Sequence, residues 1–579
     1  MYYTEALTIR RRKKNHNPLV ERERGVIRKD PGGRLRVALV YPNTYHIAMS
    51  NLGFQTLYGI FNNRADTLAE RFFLPEKVEL RRIKEGGAQK KLRSLETSAL
   101  LEDFDLLAFS ISFEEDYINV LKILNLSGFP LYSKDRAEDF PLVMAGGCAP
   151  TLNPEPVADF LDFFFIGEAE AGLSPLIQAL SFEGKKEEVL TEVSKVEGLY
   201  VPSFYELKYS GAKIESFSVK ERYSKVATYP VKRVQADLDK IPLATTQVLT
   251  PDTEFSDTTL IEIERGCPRG CRFCTAGFIY LPPRLGDTSK VEEAIESATA
   301  GGSGETKVGL VGAAVSEHPD IKKIIKNAIE KDVIVTLSSL RLDMLDPEFL
   351  ALLKEAGYRT ITIAPEAASE RLRRVINKEF KDCEIIEKVQ LIKESGFKRV
   401  KLYFMVGLPT ETDSDAGDIV ELVKKIRDEL KGGQVIVSVN PFIPKAKTPF
   451  QWCSLENTDT LERRYGILKD GLKREGGIEL KLYPLKDAPV QALLALGDRR
   501  ISPLLLLASE IGWKRALRKS KVDILDLIGT ERTSDELLPF DIIDTGIKKD
   551  YLWREYQRGL EAKITPPCVV ESCIRCGVC

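Results

Sequence analysis

Short apolar runs that stop at glycine, proline or a small polar residue recur along this chain, and segments of helical period follow most of them. Residues 36–42, 106–111, 141–147 and 163–168 are largely apolar and end at Pro42, Ser110, Gly146-Gly147 and Gly167. Strands of a parallel sheet covered on both faces read this way. Residues 117–126 carry helical spacing between the second and third runs. From residue 258 the alternation becomes regular. Strands are expected at 258–264, 307–311, 333–337, 360–363, 400–404 and 435–439, and helices at 290–300, 321–331, 347–356, 369–376, 384–395 and 415–430. The pattern predicts an α/β chain. Residues 34–180 form a Rossmann-like sheet domain. Residues 181–254 are charged and broken by Pro202, Pro230, Pro242 and Pro251, so they are expected to wrap between domains as a linker with some strand. Residues 255–480 form a β/α-repeat domain, and 481–579 a mainly helical extension. Residues 1–33 are charged, and the basic run Arg10 to Lys14 predicts a solvated arm or a contact to an anion or RNA.

Composition narrows the picture without redirecting it. A net charge of −2, 43% hydrophobic and 29% charged residues are ordinary for a globular protein of several domains. No global basic field demands nucleic acid. No apolar stretch is long enough to span a bilayer, and residues 1–5 lack an apolar signal core, so a cytoplasmic protein without membrane contact is expected. The three histidines, His16, His46 and His318, are too few for a histidine-rich metal site.

The ten cysteines carry the chemistry. Cys267, Cys271 and Cys274 form a C-x3-C-x2-C triplet. Three thiols in eight residues are odd in number and too crowded for a disulfide framework; they suit one compact soft-metal centre. Tetrahedral zinc wants a fourth ligand, and none lies nearby. A 4Fe–4S cube offers four irons, and three thiolates leave one iron open. The flanking Gly266 and Gly270 let backbone amides approach the sulfurs, and Phe273 shields the centre. Cys568, Cys573, Cys576 and Cys579 follow a C-x4-C-x2-C-x2-C spacing. They read as a zinc knuckle, a second iron–sulfur cluster or a redox pair at Cys576 and Cys579. Cys148, Cys383 and Cys453 are scattered and read as small core residues.

The triplet and its flanks resemble the signature of the radical S-adenosylmethionine (radical SAM) superfamily. The resemblance implies a partial (β/α)6 barrel over residues 255–480, with chemistry at the strand C-ends. It also implies that S-adenosylmethionine (SAM) chelates the open iron and is cleaved by one electron to a 5′-deoxyadenosyl radical. A one-electron reductant of flavodoxin or ferredoxin type would supply that electron. By the same resemblance the SAM-binding residues are Phe273, Gly312, Ser338, Arg341, Glu366, Arg371, Met405 and Gly407. The segment Val308 to Ala314 departs from the family's Gly-Gly-Glu element, because it lacks the acid that contacts the SAM amino group.

The N-terminal domain resembles the cobalamin-binding domain that precedes the barrel in one branch of this superfamily. Tyr41-Pro42-Asn43, Met49 to Gly53, Gly146-Gly147-x3-Thr151 and Gly167-Glu168 carry the likeness. The resemblance implies Asn43, Ser50, Asn51, Gly146, Gly147, Thr151, Gly167 and Glu168 as cobalamin-binding residues. The Asp-x-His-x-x-Gly motif that supplies an axial histidine elsewhere is absent, so no histidine ligand to cobalt is expected. With its cysteine tail, the whole chain resembles an uncharacterised bacterial group of such proteins. Two enzymatic readings of function follow, beside a non-enzymatic one, a cluster-bearing sensor or assembly scaffold, that production of 5′-deoxyadenosine would exclude. The first is a cobalamin-dependent methyltransferase acting on unactivated carbon. The second is a cobalamin-independent enzyme that modifies RNA or inserts sulfur with the help of an auxiliary tail cluster. The substrate is not legible, and the basic arm and tail leave RNA open.

Overall fold

The computed structural model describes residues 18–85, 91–300, 305–520, 527–570 and 572–579. The basic run at 10–14 lies outside them. In chain order the N-terminal strands are β1 (Leu35–Tyr41), β2 (Thr67–Phe73), β3 (Leu106–Ser110), β4 (Leu142–Gly146), β5 (Phe163–Phe165) and β6 (Leu199–Tyr200). They form one sheet of order β2-β1-β3-β4-β5-β6, parallel except where β6 runs against β5. The apolar runs become β1, β3, β4 and β5, and Val37, Val40, Leu107, Val143 and Phe164 are fully buried. The helix Tyr117–Leu126 covers one face, with Tyr117, Val120, Leu121 and Leu124 turned inward.

Strand β2 is not visible in the apolar pattern because Glu70 and Arg71 interrupt it. Both are buried. Arg71 is tolerated there because its guanidinium donates to Glu96 at 2.6 Å and, through two nitrogens, to Glu23 at 2.8 Å. A buried charge is affordable only when it is paired in this way. Glu23 belongs to the expected N-terminal arm. The described part of that arm is therefore docked, and Arg24 also makes a bridge with Leu249.

The segment expected as a linker holds the helix Lys186–Ser194, strand β6, a hairpin of β7 (Tyr205–Ser210) with β8 (Lys213–Val219), and β9 (Val231–Lys232). The β/α-repeat domain contains β10 (Thr258–Glu262), the short pair β11 (Glu264–Arg265) and β12 (Arg284–Leu285), then β13 (Thr306–Val311), β14 (Val333–Leu337), β15 (Ile361–Glu366), β16 (Arg399–Val406), β17 (Gln434–Pro441) and β18 (Ile478–Leu482). Strands β10, β13 and β14 form one parallel sheet and β15 to β18 another. The Tyr358 hydroxyl accepts from the Leu337 amide across the break between them. Six of these strands match the alternation in the sequence. The seventh, β18, is an edge strand whose half-exposed residues blur its period.

The C-terminal extension is shared between the two halves. The helices Ala488–Leu496 and Ser502–Ile511 bury Leu493, Leu494, Leu504 and Leu505 in the core of the N-terminal sheet domain. Strand β19 (Ile543–Asp544) pairs with β9. The helix Lys549–Leu560 packs Leu552 and Tyr556 with Trp452, Phe450 and Val375 in a separate core beneath the cysteine loop.

Candidate active site

Strand β10 ends beside the loop that carries the three cysteines, and the β11–β12 ladder closes that loop at its base. Gly266 opens the turn at φ +89°, where a Cβ would stand 2.6 Å from the Tyr280 carbonyl oxygen. Only glycine fits such a position without strain. Burial pushes the Cys267 thiol up to about 12 and Cys271 up to about 11, and it raises Cys274 as well. Without a cation the loop would hold neutral thiols. Backbone donors already face the sulfurs: the Arg269 amide points at Cys267, and those of Gly277 and Ala276 at Cys274. Lys378 and Arg341 lie near Cys271 and favour its thiolate. Among the described residues no three His, Cys, Asp or Glu side chains converge as they would around a single ion. A cube takes one thiolate at each of three irons and needs no such convergence. The donor set, its burial and its amide hydrogen bonds fit an iron–sulfur cluster.

A cavity of about 570 Å³ opens between the cysteine loop and the C-terminal edge of the N-terminal sheet. That size is usual for a small-molecule or cofactor site, roughly 300–1,000 Å³. Seven of the eight residues expected to bind cobalamin line it: Ser50, Asn51, Gly146, Gly147, Thr151, Gly167 and Glu168. Gly147, at φ +108°, brings its backbone so close to Ile111 that a Cβ would meet the carbonyl oxygen at 2.6 Å. The Thr151 hydroxyl joins the two glycine loops, donating to the Gly147 carbonyl at 2.9 Å and accepting from the Gly167 amide at 3.3 Å. Asn51 caps the helix Leu52–Asn63 through the Phe54 amide and donates to Ser112 at 3.1 Å. Leu39, Leu57, Ile60, Phe109 and Met144 give the cavity an apolar floor, and no histidine is among its lining residues. Small backbone-rich loops above an apolar floor fit a large flat ring. Asn43 does not line the cavity; its amide is bound to Asp116 at 2.8 Å. Glu168 lines it but is held by Arg265 at 2.8 Å and Arg284 at 2.5 Å from the other half of the chain.

The residues expected to bind SAM are divided. Gly312 and Ser338 line the cavity, and the Ser338 hydroxyl is bound to the Gly312 carbonyl at 2.9 Å and to its amide at 3.1 Å. Glu366, in the left-handed region at φ +66°, pairs with Lys378 at 3.2 Å on the Cys271 side. Arg341 is tied to Glu317 and to Asp343. Phe273 and Met405 pack against the core below the loop. Two residues lie apart. Arg371 reaches outward to Asp415 at 2.7 Å and Thr410, and Gly407 backs onto Leu461 and Glu456 while its amide donates to Glu411.

Three cavity residues were not singled out from sequence. Glu264 opens β11, two residues past the end of β10, beneath Gly312. Burial pushes its carboxyl up to about 7, although the Ala314 amide donates to it at 3.2 Å. Cys148 is a wall residue here, not simply core, and Tyr280 lines the same wall beside it. Of the other scattered cysteines Cys453 is buried as expected, whereas Cys383 is exposed at the start of the helix Asp382–Glu394. The signal available for Glu264 was its place at the C-end of the expected strand 258–264, three residues before the first cysteine.

Residues 53–202 match the family described as Radical SAM proteins, N-terminal, and residues 261–423 match the Radical SAM superfamily. The chain belongs to the radical SAM superfamily. Within it, the chain is 31% identical over 474 residues to the uncharacterized protein MJ0966 of Methanocaldococcus jannaschii, covering 81% of this chain and 90% of the relative. A shorter match, 31% over 172 residues, covers 28% of this chain and 29% of the anaerobic magnesium-protoporphyrin IX monomethyl ester cyclase of Rubrivivax gelatinosus. Among solved structures, the radical SAM methyltransferase TsrM of Kitasatospora setae, with tryptophan and aza-SAM bound, aligns at a TM-score of 0.45 and 12% identity, covering 72% of this chain and 75% of that one. No described helix is long and apolar enough to cross a membrane.

Proposed function

We propose that this protein is a cobalamin-dependent radical SAM enzyme that methylates an unactivated carbon. The observation that carries the reading is the shared cavity. Its wall is built on one side by the glycine loops Gly146-Gly147 and Gly167, and on the other by Gly266, Gly312 and Ser338 at the cysteine loop and barrel strand ends. When bound, the cluster with SAM supplies a hydrogen-abstracting radical, and the corrinoid supplies a transferable methyl group. Cys267, Cys271 and Cys274 hold the cluster. The Gly312–Ser338 pair offers a carbonyl and a hydroxyl at the mouth of the barrel. The apolar floor excludes water from the space where a radical would form. Glu264, with its raised pKa, can keep or release a proton near neutral pH on that wall. The reaction needs an external one-electron reductant of flavodoxin or ferredoxin type.

The test is corrinoid stoichiometry in protein produced anaerobically with cobalamin supplied, measured in denatured extract. Near-equimolar corrinoid is expected. A folded protein that carries its cluster but no corrinoid would refute the reading and favour the cobalamin-independent alternative.

A further inference from the structure

The tail cysteines do not hang free of the site. The Cys568 amide donates to the Pro268 carbonyl at 2.7 Å, so one hydrogen bond joins the first tail cysteine to the residue next to Cys267. Asn377 clamps both segments. Its amide nitrogen donates to the carbonyls of Arg269 and Gly270 at 3.2 Å and of Thr565 at 3.1 Å, while its oxygen accepts from the Thr565 amide at 2.8 Å. Arg272, inside the C-x3-C-x2-C loop and fully buried, donates to the Lys563 carbonyl at 2.7 Å and to Glu555 at 3.1 Å. Buried polar groups in such a network are costly unless they are satisfied, so the segment before the tail is held against this loop by the bonds it supplies. A recess of about 20 Å³ is lined by Cys267 together with Cys568, Cys573 and Cys576. The thiols of Cys568 and Cys573 are near neighbours, and the Cys573 sulfur accepts from Arg575 at 3.2 Å. Exposure increases outward: Cys576 is buried, Cys568 and Cys573 are half-buried and Cys579 is exposed. The neighbouring Val569 and Ile574 are exposed by 56% and 82%, which leaves the outer side of the tail open to a docking protein.

We propose that Cys568, Cys573, Cys576 and Cys579 hold a second iron–sulfur cluster that serves as the electron entry port of the enzyme. The inference rests on the reading of the Cys267 loop as an iron–sulfur site. A reduced flavodoxin- or ferredoxin-type protein loses one electron to the tail cluster. The tail cluster passes it across the Cys568–Pro268 contact and returns to its oxidised level, and the loop cluster gains it. No bond forms or breaks, and no proton moves. A zinc knuckle would need the four thiols to converge on one ion, and among the described residues no three do; a cube takes one thiolate at each iron and needs no such convergence.

The experiment compares the full chain with Cys573→Ala/Cys576→Ala, Cys579→Ser and Cys271→Ala variants after anaerobic reconstitution. Iron, sulfide and zinc are counted, and reduced samples are examined by electron paramagnetic resonance. Wild-type protein is expected to hold about eight irons and the double variant about four, for two 4Fe–4S clusters. The loop signal should remain in the double variant, while its rate of appearance with reduced flavodoxin falls at least tenfold. Cys579→Ser, at an exposed position with little risk to folding, should alter or abolish the tail signal alone. Zinc in the wild-type tail, or flavodoxin reducing the loop cluster equally fast in both tail variants, would overturn the inference. Iron content unchanged by Cys271→Ala would instead overturn the reading of the loop on which it rests.

Discussion

Glu168 offers a decisive test, because resemblance assigns it to a cofactor and geometry assigns it to the chain. Its carboxylate is only 3% exposed. It accepts from Arg265 at 2.8 Å, from Arg284 at 2.5 and 3.0 Å, and from the Ala236 amide at 3.0 Å. Burial works to raise its pKa, but the two guanidiniums and the amide outweigh burial and hold it below the usual carboxylate range. Glu168→Ala leaves Arg265 with Glu170 and Glu262, but leaves Arg284 with the carbonyls of Ala236 and Pro282 and no carboxylate among its assigned partners. Removing one partner of a buried ion pair costs about 3–5 kcal/mol. The surviving partners of Arg265 place this case near about 3 kcal/mol, more than a hundredfold in the folding equilibrium. The assay is urea denaturation of cofactor-free protein, run as a double-mutant cycle with Arg284→Ala. The two losses should fall well short of additive. A residue whose only role is to hold a cofactor would leave apoprotein stability within about 0.5 kcal/mol; that result, or strict additivity, refutes the ion-pair argument. There is also an acid signature. Because the folded-state pKa is lowered, the contribution of Glu168 is complete above the ordinary carboxylate pKa and is lost as pH falls through the folded value. The variant should therefore show a shallower acid limb.

Glu264 should behave in the opposite sense. Its folded-state pKa of about 7 exceeds the ordinary 4.5, so the folded chain binds the proton more tightly and apoprotein stability falls as pH rises from about 4.5 to about 7. Glu264→Gln should flatten that part of the stability profile; an unchanged slope between pH 5 and 7 counts against burial as the cause. Gly147→Ala must place a methyl group 2.6 Å from the Ile111 carbonyl oxygen at φ +108°, at a cost of about 1–3 kcal/mol. It should also lower corrinoid occupancy severalfold, and full occupancy at unchanged stability would remove Gly147 from the site.

Much of the architecture is legible in sequence because parallel strands buried on both faces leave unbroken apolar runs, as at Leu106–Ser110 and Phe163–Phe165. Strand β2 escapes because its inward-facing charges are solved by Glu23 and Glu96, partners that no local pattern reveals. The cysteine loop is legible because its three thiols fall within eight residues of the chain. The glycine loops are legible because special backbone geometry demands glycine. The residues expected to bind SAM divide differently. Arg371 and Gly407 sit after strands, as the barrel rule requires, yet Arg371 is claimed by Asp415 on a later helix and Gly407 by Glu411 in its own turn. Strand-end position alone does not tell a ligand contact from an ion pair. Glu264 and Cys148 gain their meaning only when two distant segments close on one cavity.

The clamp formed by Arg272 and Thr565 joins residues 293 positions apart. At roughly 5–20 residues per second, ribosomal synthesis separates their emergence by about 15–60 s. For that interval the nascent cysteine loop lacks Glu555 and Thr565, the partners that later enclose its buried guanidinium. Enclosure of the cysteine loop is therefore a late event in folding: it waits on Glu555 and Thr565, which emerge after every strand from Leu35 to Leu482 has been made.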